Sequence, residues 1–319
     1  MLSEKEELGF LAIRRHPSAP VLTKRKSRGV SFYGKERPVF SNNQCVYLND
    51  CMLPEPSSVF LLERRVGFRQ VTGKTALPSY EPSEHFDIGG AESIGRRPYM
   101  EDRICVHCGL TEDADLVGVF DGHNGADAAQ IASHELSRFL LETENAQEAF
   151  ERLHEHVISQ TESGTTATVA LLSPSTITIL HCGDSAAYVC RGGKTIKITD
   201  DHNTSNIDEL AAVSKAGGTV EFTNGSSRVN GIISITRSIG DRNLHPPLSC
   251  IPDRIEINTS EVQTMAIMSD GISNVLTTDE IGKVLSDTIA INDKAAMLRN
   301  LAVQKKSADN MSVVVVSLL

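Results

Sequence analysis

The sequence lacks any apolar run long enough to cross a lipid bilayer. Its longest, MSVVVVSLL at residues 311–319, is far shorter than the roughly 20 residues that a membrane-spanning helix needs. The first residues, MLSEKEELGF, carry acids where a secretory signal has basic residues and an apolar core, and Leu2 excludes N-terminal myristoylation. We therefore predict no membrane span and an intracellular location, in the cytoplasm, the nucleus or both.

Cysteine offers no zinc or redox framework. The chain has seven Cys residues, an odd number, and most of them stand alone in apolar segments. Cys105 and Cys108 form one CxxC motif, but a zinc site needs a second pair, which the sequence does not contain. The run RICVHCGL is also typical of a strand, in which residues three apart point to opposite faces. Buried, reduced thiols are therefore our interpretation.

Charge is unevenly distributed along the chain. Residues 1–40 contain nine Lys and Arg against four Asp and Glu, whereas the whole chain has a net charge of −10. The remainder is therefore strongly acidic and would repel a nucleic-acid backbone, so we predict no nucleic-acid partner. The basic cluster KRKSR (24–28), with Pro and Ser around it, indicates a partly ordered N-terminal extension over residues 1–82. One domain is expected over residues 83–319.

The domain has many short β-rich runs with helical segments between them. Strands are predicted near residues 104–109, 115–120, 165–172, 176–182, 186–190, 195–198, 232–236, 251–257, 263–268 and 311–318. Helical periodicity covers residues 125–141, 145–160, 206–216, 278–288 and 292–304. Because this order does not follow a βαβ alternation, we expect an α+β fold with antiparallel sheets covered by helices.

Two apolar strands end in the same dipeptide. DLVGVFDGHNG (115–125) ends its strand at Asp121-Gly122, and AIMSDGI (266–272) ends another at Asp270-Gly271. An Asp followed by Gly can offer carboxylate oxygens and an exposed backbone carbonyl to a hard cation. A simple turn is the alternative for either motif alone. The recurrence favours one site at which both strand ends converge.

Further acids stand beside other predicted strands. Asp309 precedes the last apolar strand, and Glu101 and Asp102 precede the strand near 104–109. Acids beside buried strands carry a large desolvation cost unless cations or hydrogen-bond donors compensate. Salt bridges are the alternative, but Arg97 and Arg103 are too few to pair with all of these acids. A metal centre would compensate several carboxylates at once.

The ordered motifs resemble those of a known enzyme family. Across residues 84–319 the motifs follow one another in this order: RPYMED, VFDGH, SGTTA, CGDS, the stretch DHNTSNIDELAAVSKAGGTV leading to RVNGIISITRSIGD, then MSDGI and ADNMSVVVV. This series is similar to that of the type 2C metal-dependent Ser/Thr protein phosphatases, the PPM family. The resemblance implies a four-layer α/β/β/α sandwich, in which two antiparallel sheets pack face to face between helices.

The resemblance also implies a centre with two Mn²⁺ or Mg²⁺ ions. Matched position by position, Asp121 would bridge the ions, Glu101 and the Gly122 carbonyl would bind one, and Asp270 and Asp309 the other. Asp184 in CGDS would help Asp270 to hold a weaker third ion, and Asp102 would orient water. The role of Asp241, which closes SIGD, is left open.

The implied reaction is hydrolysis of phosphoserine or phosphothreonine in phosphoprotein substrates by an activated water, without a phosphoenzyme. Two divalent cations make hydroxide available near neutral pH by lowering the pKa of water. Arg97 can bind two phosphate oxygens through its planar guanidinium. His123 could protonate the departing oxygen, because histidine gains and loses protons near neutral pH. A locally packed residue at a helix start is the alternative for His123.

The sequence departs from the family pattern at two places. The segment between Asp121 and SGTTA is short, and Ile-Ser-Asn (272–274) stands where relatives have an aromatic-acid pair. Neither change removes a predicted ligand. A non-catalytic relative kept as a binding module is an alternative, although such a protein is expected to have lost a bridging acid or the phosphate-binding Arg. A two-metal phosphodiesterase or nuclease is disfavoured by the acidic domain and by the absence of a basic, aromatic-lined path for a nucleic-acid strand.

Several other motifs are set aside. The stretch GAESIG (90–95) resembles the start of a P-loop, but two Arg residues replace its Lys-Ser/Thr. Ser185 lacks the G-x-S-x-G elbow of serine hydrolases. His181 and His202 lack partner spacing and are predicted to be structural or surface residues. A monomer is the expected oligomeric state.

Overall fold

The computed structural model describes residues 83–143, 145–223 and 225–318, together with four short strands nearer the N-terminus. The predicted extension over residues 1–82 therefore lies largely outside the described residues. No helix in the described ranges is long and apolar enough to span a membrane.

The strands follow one another along the whole described chain. In order, they are β1 (Arg14–Arg15), β2 (Val46–Tyr47), β3 (Phe60–Glu63), β4 (Gly67–Gln70), β5 (Phe86–Ser93), β6 (Arg103–Thr111), β7 (Ala114–Phe120), β8 (Gly122–His123), β9 (Gly164–Thr165), β10 (Ala167–Leu172), β11 (Thr176–Cys182), β12 (Ala186–Arg191), β13 (Lys194–Lys197), β14 (Val220–Thr223), β15 (Ser226–Val229), β16 (Ile239–Gly240), β17 (Asp253–Asn258), β18 (Thr264–Met268) and β19 (Met311–Leu318).

The helices lie in three groups between the strands. They are α1 (Asp127–Glu142), α2 (Ala146–Ile158), α3 (Ile207–Lys215), α4 (Asp270–Ser273), α5 (Thr278–Ser286) and α6 (Ile291–Gln304). Local capping fixes several of their starts. Asn145 accepts a hydrogen bond from the Glu148 N–H at the start of α2, and Thr277 and Glu280 form a reciprocal capping box at the start of α5.

Two antiparallel sheets form the centre of the fold. The larger has the strand order β1-β17-β11-β10-β7-β6-β2, and the smaller has the order β13-β12-β18-β19-β5. Every strand pairing within these two sheets is antiparallel. The prediction of antiparallel sheets is therefore confirmed.

Side chains point alternately to the two faces of each strand, and this alternation builds four layers. In β6, Ile104 and Val106 enter the core between the two sheets, whereas Cys105 packs beneath α1 and α2. In β19, Val314 enters the same central core, whereas Val313 packs against α5 and α6. Helices therefore cover the outer face of each sheet, and the predicted α/β/β/α sandwich is confirmed. Cys108 packs against the central core, on the face opposite to Cys105, as the strand interpretation predicts.

Residues 203–249, here called the insert, form a small unit beside the sandwich. Its own core consists of Val213, Val229 and Leu248, with partly buried Ile233 and Leu244. The hairpin of β14 and β15 pairs only with itself. Arg237 joins the insert to the large sheet, because it forms ion pairs with Glu209 of α3 and with Asp253 of β17.

Most predicted elements are confirmed to within two residues at each end. The predicted strand at 232–236 is wrong. These residues form turns with isolated bridges from Ile233 to Val229 and from Ile235 to Asn203, because Ile233 packs against the core of the insert, whereas Ile232 is exposed. The strand β5, the short helix α4 and the hairpin of β14 and β15 were not predicted.

Candidate metal centre

One end of the sandwich collects the predicted acids. In the large sheet, β6 begins and β7 ends at the paired residues Arg103 and Phe120. Glu101 and Asp102 precede the first of these strands and Asp121 follows the second. Antiparallel pairing therefore brings these three acids to one edge of the sheet.

The small sheet delivers its acids to the same end. Met268, the last residue of β18, pairs with Val313 near the start of β19. Asp270 follows β18 as the first residue of α4, and Asp309 precedes β19. The two sheets thus present their acids at a common end of the sandwich, as the repeated Asp-Gly motif led us to expect.

The side chains of Asp121 and Asp270 lie close enough together for their charges to interact. Burial raises the pKa of Asp121 well above its usual range, and the Asp102 and Asp270 carboxyl groups raise it further. Burial also raises the pKa of Asp270, with a contribution from Asp309. Buried carboxyl groups that lie this close together disfavour each other's ionisation. Their negative charge therefore lacks compensation within the protein.

Asp102 is the most deeply buried of the predicted site acids, with 1% of its surface exposed. Ser269 Oγ donates a hydrogen bond of 2.8 Å to Asp102 Oδ2. Burial raises the pKa of Asp102 to about 7, although the hydrogen bond from Ser269 opposes this rise. A neutral carboxyl group is thus favoured when no cation is near.

Asp184 joins the same group of acids from the turn that follows β11. Burial raises its pKa to about 8, and the Asp270 carboxyl group makes the next contribution. The structure therefore brings Asp184 close enough to Asp270 for their charges to interact. This is the pair that the family resemblance implies for a weaker third ion.

Glu101 is held by two hydrogen bonds from the neighbouring loops. Its backbone N–H donates to Asn310 Oδ1 at 2.8 Å, and the Gly125 N–H donates to Glu101 Oε1 at 2.7 Å. Gly122 lies in β8 and pairs with Thr165 of β9. Glu101 and Gly122 are thus fixed on the two chain segments that flank the start of β6 and the end of β7.

Arg97 lies at the rim of the centre. Its Nη2 donates to Asp309 Oδ2 at 2.7 Å, and 48% of the Arg97 side chain is exposed. Within the described residues, no other Lys or Arg forms an ion pair with a predicted metal ligand. One guanidinium therefore faces an excess of carboxylates.

His123 is tied to a residue whose role the sequence left open. Its Nε2 lies 2.7 Å from Asp241 Oδ2, and Ser238 Oγ donates to the same oxygen at 2.6 Å. Asp241 is 6% exposed, whereas the His123 side chain is 28% exposed. His123 thus lies partly open to solvent, with a buried carboxylate behind it.

Sequence reasoning missed the polar groups that hold these acids. Besides Ser269 and Asn310, Thr166 Oγ1 accepts a hydrogen bond of 3.0 Å from the Asp121 N–H. All three residues stand inside the motifs MSDGI, ADNMSVVVV and SGTTA. For Ser269 and Asn310, a polar residue next to an acid at a buried strand end was the signal that could have found them.

The motifs that the sequence analysis set aside have structural roles. Ser185 is buried, and its Oγ lies 2.8 Å from Thr166 Oγ1. His181 and His202 are both buried, with ring centroids 4.5 Å apart, so the structural prediction for them is right and the surface alternative is wrong. The P-loop-like stretch 90–95 lies mostly within β5.

The donor set fits hard divalent cations. It consists of carboxylate and carbonyl oxygens, the ligands that Mg²⁺ and Mn²⁺ prefer. In the described residues no three His, Cys, Asp or Glu side chains already form a closed metal-binding group. The raised pKa values of Asp102, Asp121 and Asp184 show instead that their negative charge lacks compensation. Cations would supply it.

Fold and site together define an α/β/β/α protein with an acidic, oxygen-donor centre at one end of its two sheets. The family described as protein phosphatase 2C matches residues 86–311 of the chain. A relative from Oryza sativa subsp. japonica, named probable protein phosphatase 2C 68, is 32% identical over 278 residues, covering 72% of this chain and 77% of the relative. The chain therefore belongs to the protein phosphatase 2C family, and the predicted relation to the type 2C Ser/Thr phosphatases is confirmed.

Solved structures support the same fold. A C. elegans sex determining protein is 25% identical with a TM-score of 0.68, and the match covers 76% of this chain and 66% of that protein. The catalytic domain of the serine/threonine protein phosphatase PstP, in complex with two manganese ions, is 19% identical with a TM-score of 0.54. That match covers 74% of this chain and 99% of the PstP chain.

Proposed function

We propose that this chain hydrolyses phosphoserine and phosphothreonine in phosphoproteins, using two Mn²⁺ or Mg²⁺ ions and an activated water. The observation that carries the proposal is the convergence of Asp121 and Asp270 from the ends of two different sheets, where the Asp270 carboxyl group raises the pKa of Asp121. Folding forces these two acids together at a cost. Such a cost persists at a site where the charge has a use.

The cations would be held by oxygen atoms that the structure already brings to one end of the sandwich. The ligands we propose are Glu101, Asp121, the Gly122 carbonyl, Asp270 and Asp309, and Asp184 with Asp270 would hold a weaker third ion. When bound, the cations would lower the pKa of water and so supply a nucleophile near neutral pH. No side chain then has to attack phosphorus, and no phosphoenzyme is formed.

Residues of the chain would bind and orient the reactants. Asp102, held by Ser269, can accept a hydrogen bond from the attacking water and so aim it. Arg97 is half exposed, and its planar guanidinium can leave Asp309 to bind two oxygens of the phosphate. Charge that develops on these oxygens in the transition state would then be stabilised where it appears.

His123 is the proposed general acid. A serine or threonine alkoxide is a poor leaving group, so protonation of its oxygen helps its departure. His123 follows the ligands Asp121 and Gly122 directly and is partly exposed, so a substrate can reach it. Proton donation by a positioned side chain contributes roughly 10²- to 10⁴-fold in rate.

Residues 83–319 would form the catalytic domain, with residues 1–82 as an accessory extension. We further propose that the protein acts inside the cell as a monomer, without a nucleic-acid partner.

Hydrolysis of p-nitrophenyl phosphate and of a phosphothreonine peptide, with Mn²⁺ or with excess EDTA, tests the proposal. Activity should require the cation and should be lost in Asp121→Asn, which removes a carboxylate that we propose as a metal ligand. Full activity in EDTA after dialysis would refute the metal mechanism. A protein that binds Mn²⁺ but hydrolyses neither substrate would instead be the non-catalytic binding module.

A further inference from the structure

The contact between His123 and Asp241 joins the metal centre to the insert. The two residues are 118 positions apart in sequence, and Asp241 Oδ2 lies 2.7 Å from His123 Nε2. Asp241 is itself anchored, because its backbone N–H donates to the Ser163 carbonyl at 3.1 Å and Ser238 Oγ donates to Oδ2 at 2.6 Å. A buried carboxylate with this many donors is held in one orientation.

The local backbone is shaped around this contact. Asp241 has a φ of +49°, in the left-handed region that non-glycine residues enter at a cost. Gly164 leaves the space for the pair, since a Cβ at this position would overlap both Asp241 Oδ2 and His123 Nε2. A strained residue on one side and an obligatory gap on the other indicate that the fold maintains the contact.

Ser238 determines which group donates the proton in the contact between His123 and Asp241. A hydroxyl has one proton, and Ser238 Oγ donates it to Asp241, so Ser238 cannot also donate to His245 Nε2, which lies 3.2 Å away. Burial lowers the pKa of His245 to about 4, so this neighbouring ring brings no positive charge to Asp241 near neutral pH. The arrangement therefore leaves Asp241 as a pure acceptor, ready for a proton on His123 Nε2.

We infer that Asp241 is a positioning residue for His123, and that His123 acts on the substrate through Nδ1. This inference rests on the function proposed above. With Nε2–H donated to Asp241, Nδ1 is the ring nitrogen left for the substrate; within the described residues it has no hydrogen-bond partner. Asp241 fixes both the ring orientation and the nitrogen that carries the transferable proton.

The step balances with the attacking water of the proposed function, which loses a proton to solvent. As the oxygen of this water bonds to phosphorus, the bond between phosphorus and the Ser or Thr oxygen breaks, and its electron pair stays on the Ser or Thr oxygen. The oxygen takes the proton from His123 Nδ1 and leaves as the alcohol. His123 becomes neutral with its remaining proton on Nε2, still bound to Asp241, and solvent returns a proton to Nδ1.

The test compares two leaving groups in Asp241→Asn, His123→Gln and the double variant, with Mn²⁺ saturating. p-Nitrophenolate is stable as an anion and needs little protonation, whereas the threonine alkoxide of a phosphothreonine peptide needs much. Asp241→Asn should slow peptide hydrolysis at least 10-fold and at most as much as His123→Gln, whose loss is expected to be roughly 10²- to 10⁴-fold. Turnover of p-nitrophenyl phosphate should fall much less. In the His123→Gln background, Asp241→Asn should cost nothing more, because it acts only through the ring.

Two further variants keep the test decisive. Gly164→Ala retains both side chains but forces them apart, so it should reproduce the selective loss on the peptide even where Asp241→Asn fails to fold. Glu162→Gln is the matched control. Glu162 anchors the same loop through Arg242 at 2.8 Å and Asn243 at 3.0 Å, but it does not contact His123. Its removal should leave the ratio of the two activities unchanged.

Several results would overturn the inference. Equal losses on both substrates, additive losses in the double variant, or the same selective loss in Glu162→Gln would each show that Asp241 merely stabilises the loop. A wild-type protein without Mn²⁺-dependent hydrolysis would reject the proposed function instead. The two failures are therefore distinguishable.

Discussion

Replacing Asp102 by Asn should make the metal-free protein more stable at neutral pH. In the folded chain burial raises the pKa of Asp102 from 3.8 to about 7. Between pH 4 and pH 7 this carboxyl group is protonated in the folded state and ionised in the unfolded state. The folded state thus binds more protons, so the free energy of unfolding falls as the pH rises through this window. Asn has no proton to lose and removes this penalty.

The structure sets the size of the effect. A tenfold change in proton affinity corresponds to about 1.4 kcal/mol, so this pKa change sets a ceiling of about 4 kcal/mol on the loss between pH 4 and pH 7. For a domain of this size each kcal/mol moves the melting temperature by about 2–4 °C. The difference between Asp102→Asn and the wild type should therefore be near zero at pH 4 and grow to several degrees at pH 7.

Melting temperatures in EDTA, measured by circular dichroism from pH 4 to pH 8, check this expectation. The control is Asp293→Asn, at an exposed position on α6. Its melting temperature should change with pH in the same way as that of the wild type. Saturating Mn²⁺ should stabilise the wild type more at pH 7 than at pH 5, because protons compete with the cation for the carboxylates. Parallel pH profiles for Asp102→Asn and the wild type in EDTA would show that Asp102 is ionised in the fold and would refute the reasoning.

Three further predictions concern the chemistry. Asp270→Asn or Asp309→Asn should raise the Mn²⁺ concentration needed for half-maximal rate, because each removes a charged oxygen; an unchanged titration would mean that the ligands are misplaced. His123→Gln should leave that titration near wild type, and a weakened one would indicate that the imidazole supports the Asp121 turn. A protein starting near residue 82 should still hydrolyse p-nitrophenyl phosphate, since no proposed ligand precedes Glu101. If it folds and binds metal but is inactive, the extension contributes to the site.

The central acids could be predicted from sequence because local signals coincided with the architecture. Asp121 and Asp270 each follow an apolar strand and precede a glycine, and antiparallel pairing then brings such strand ends together. The alternation of Cys105 and Cys108 was predictable for the same reason, since strand periodicity is a local property.

What the sequence could not predict depends on contacts between distant segments. β5 was missed because its two glycines lower the β signal, yet Gly89 is needed there. A Cβ at this position would clash with the Ile291 carbonyl and with Asn292 of α6, so helix and strand could not pack as closely. Asp241 was left without a role because its partner His123 lies in another loop. Only the folded chain shows that they meet.

A chain whose hydrophobic cores differ this much in size is not expected to open as one cooperative unit. The insert has a core of three fully buried apolar residues, whereas each layer of the sandwich has many more. Local opening is cheapest where little apolar surface is buried, so amide protons of β14 and β15 should exchange with deuterium well before those of β18 and β19. Each such opening loosens the loop that carries Asp241, while the carboxylates at the ends of the two sheets remain in place.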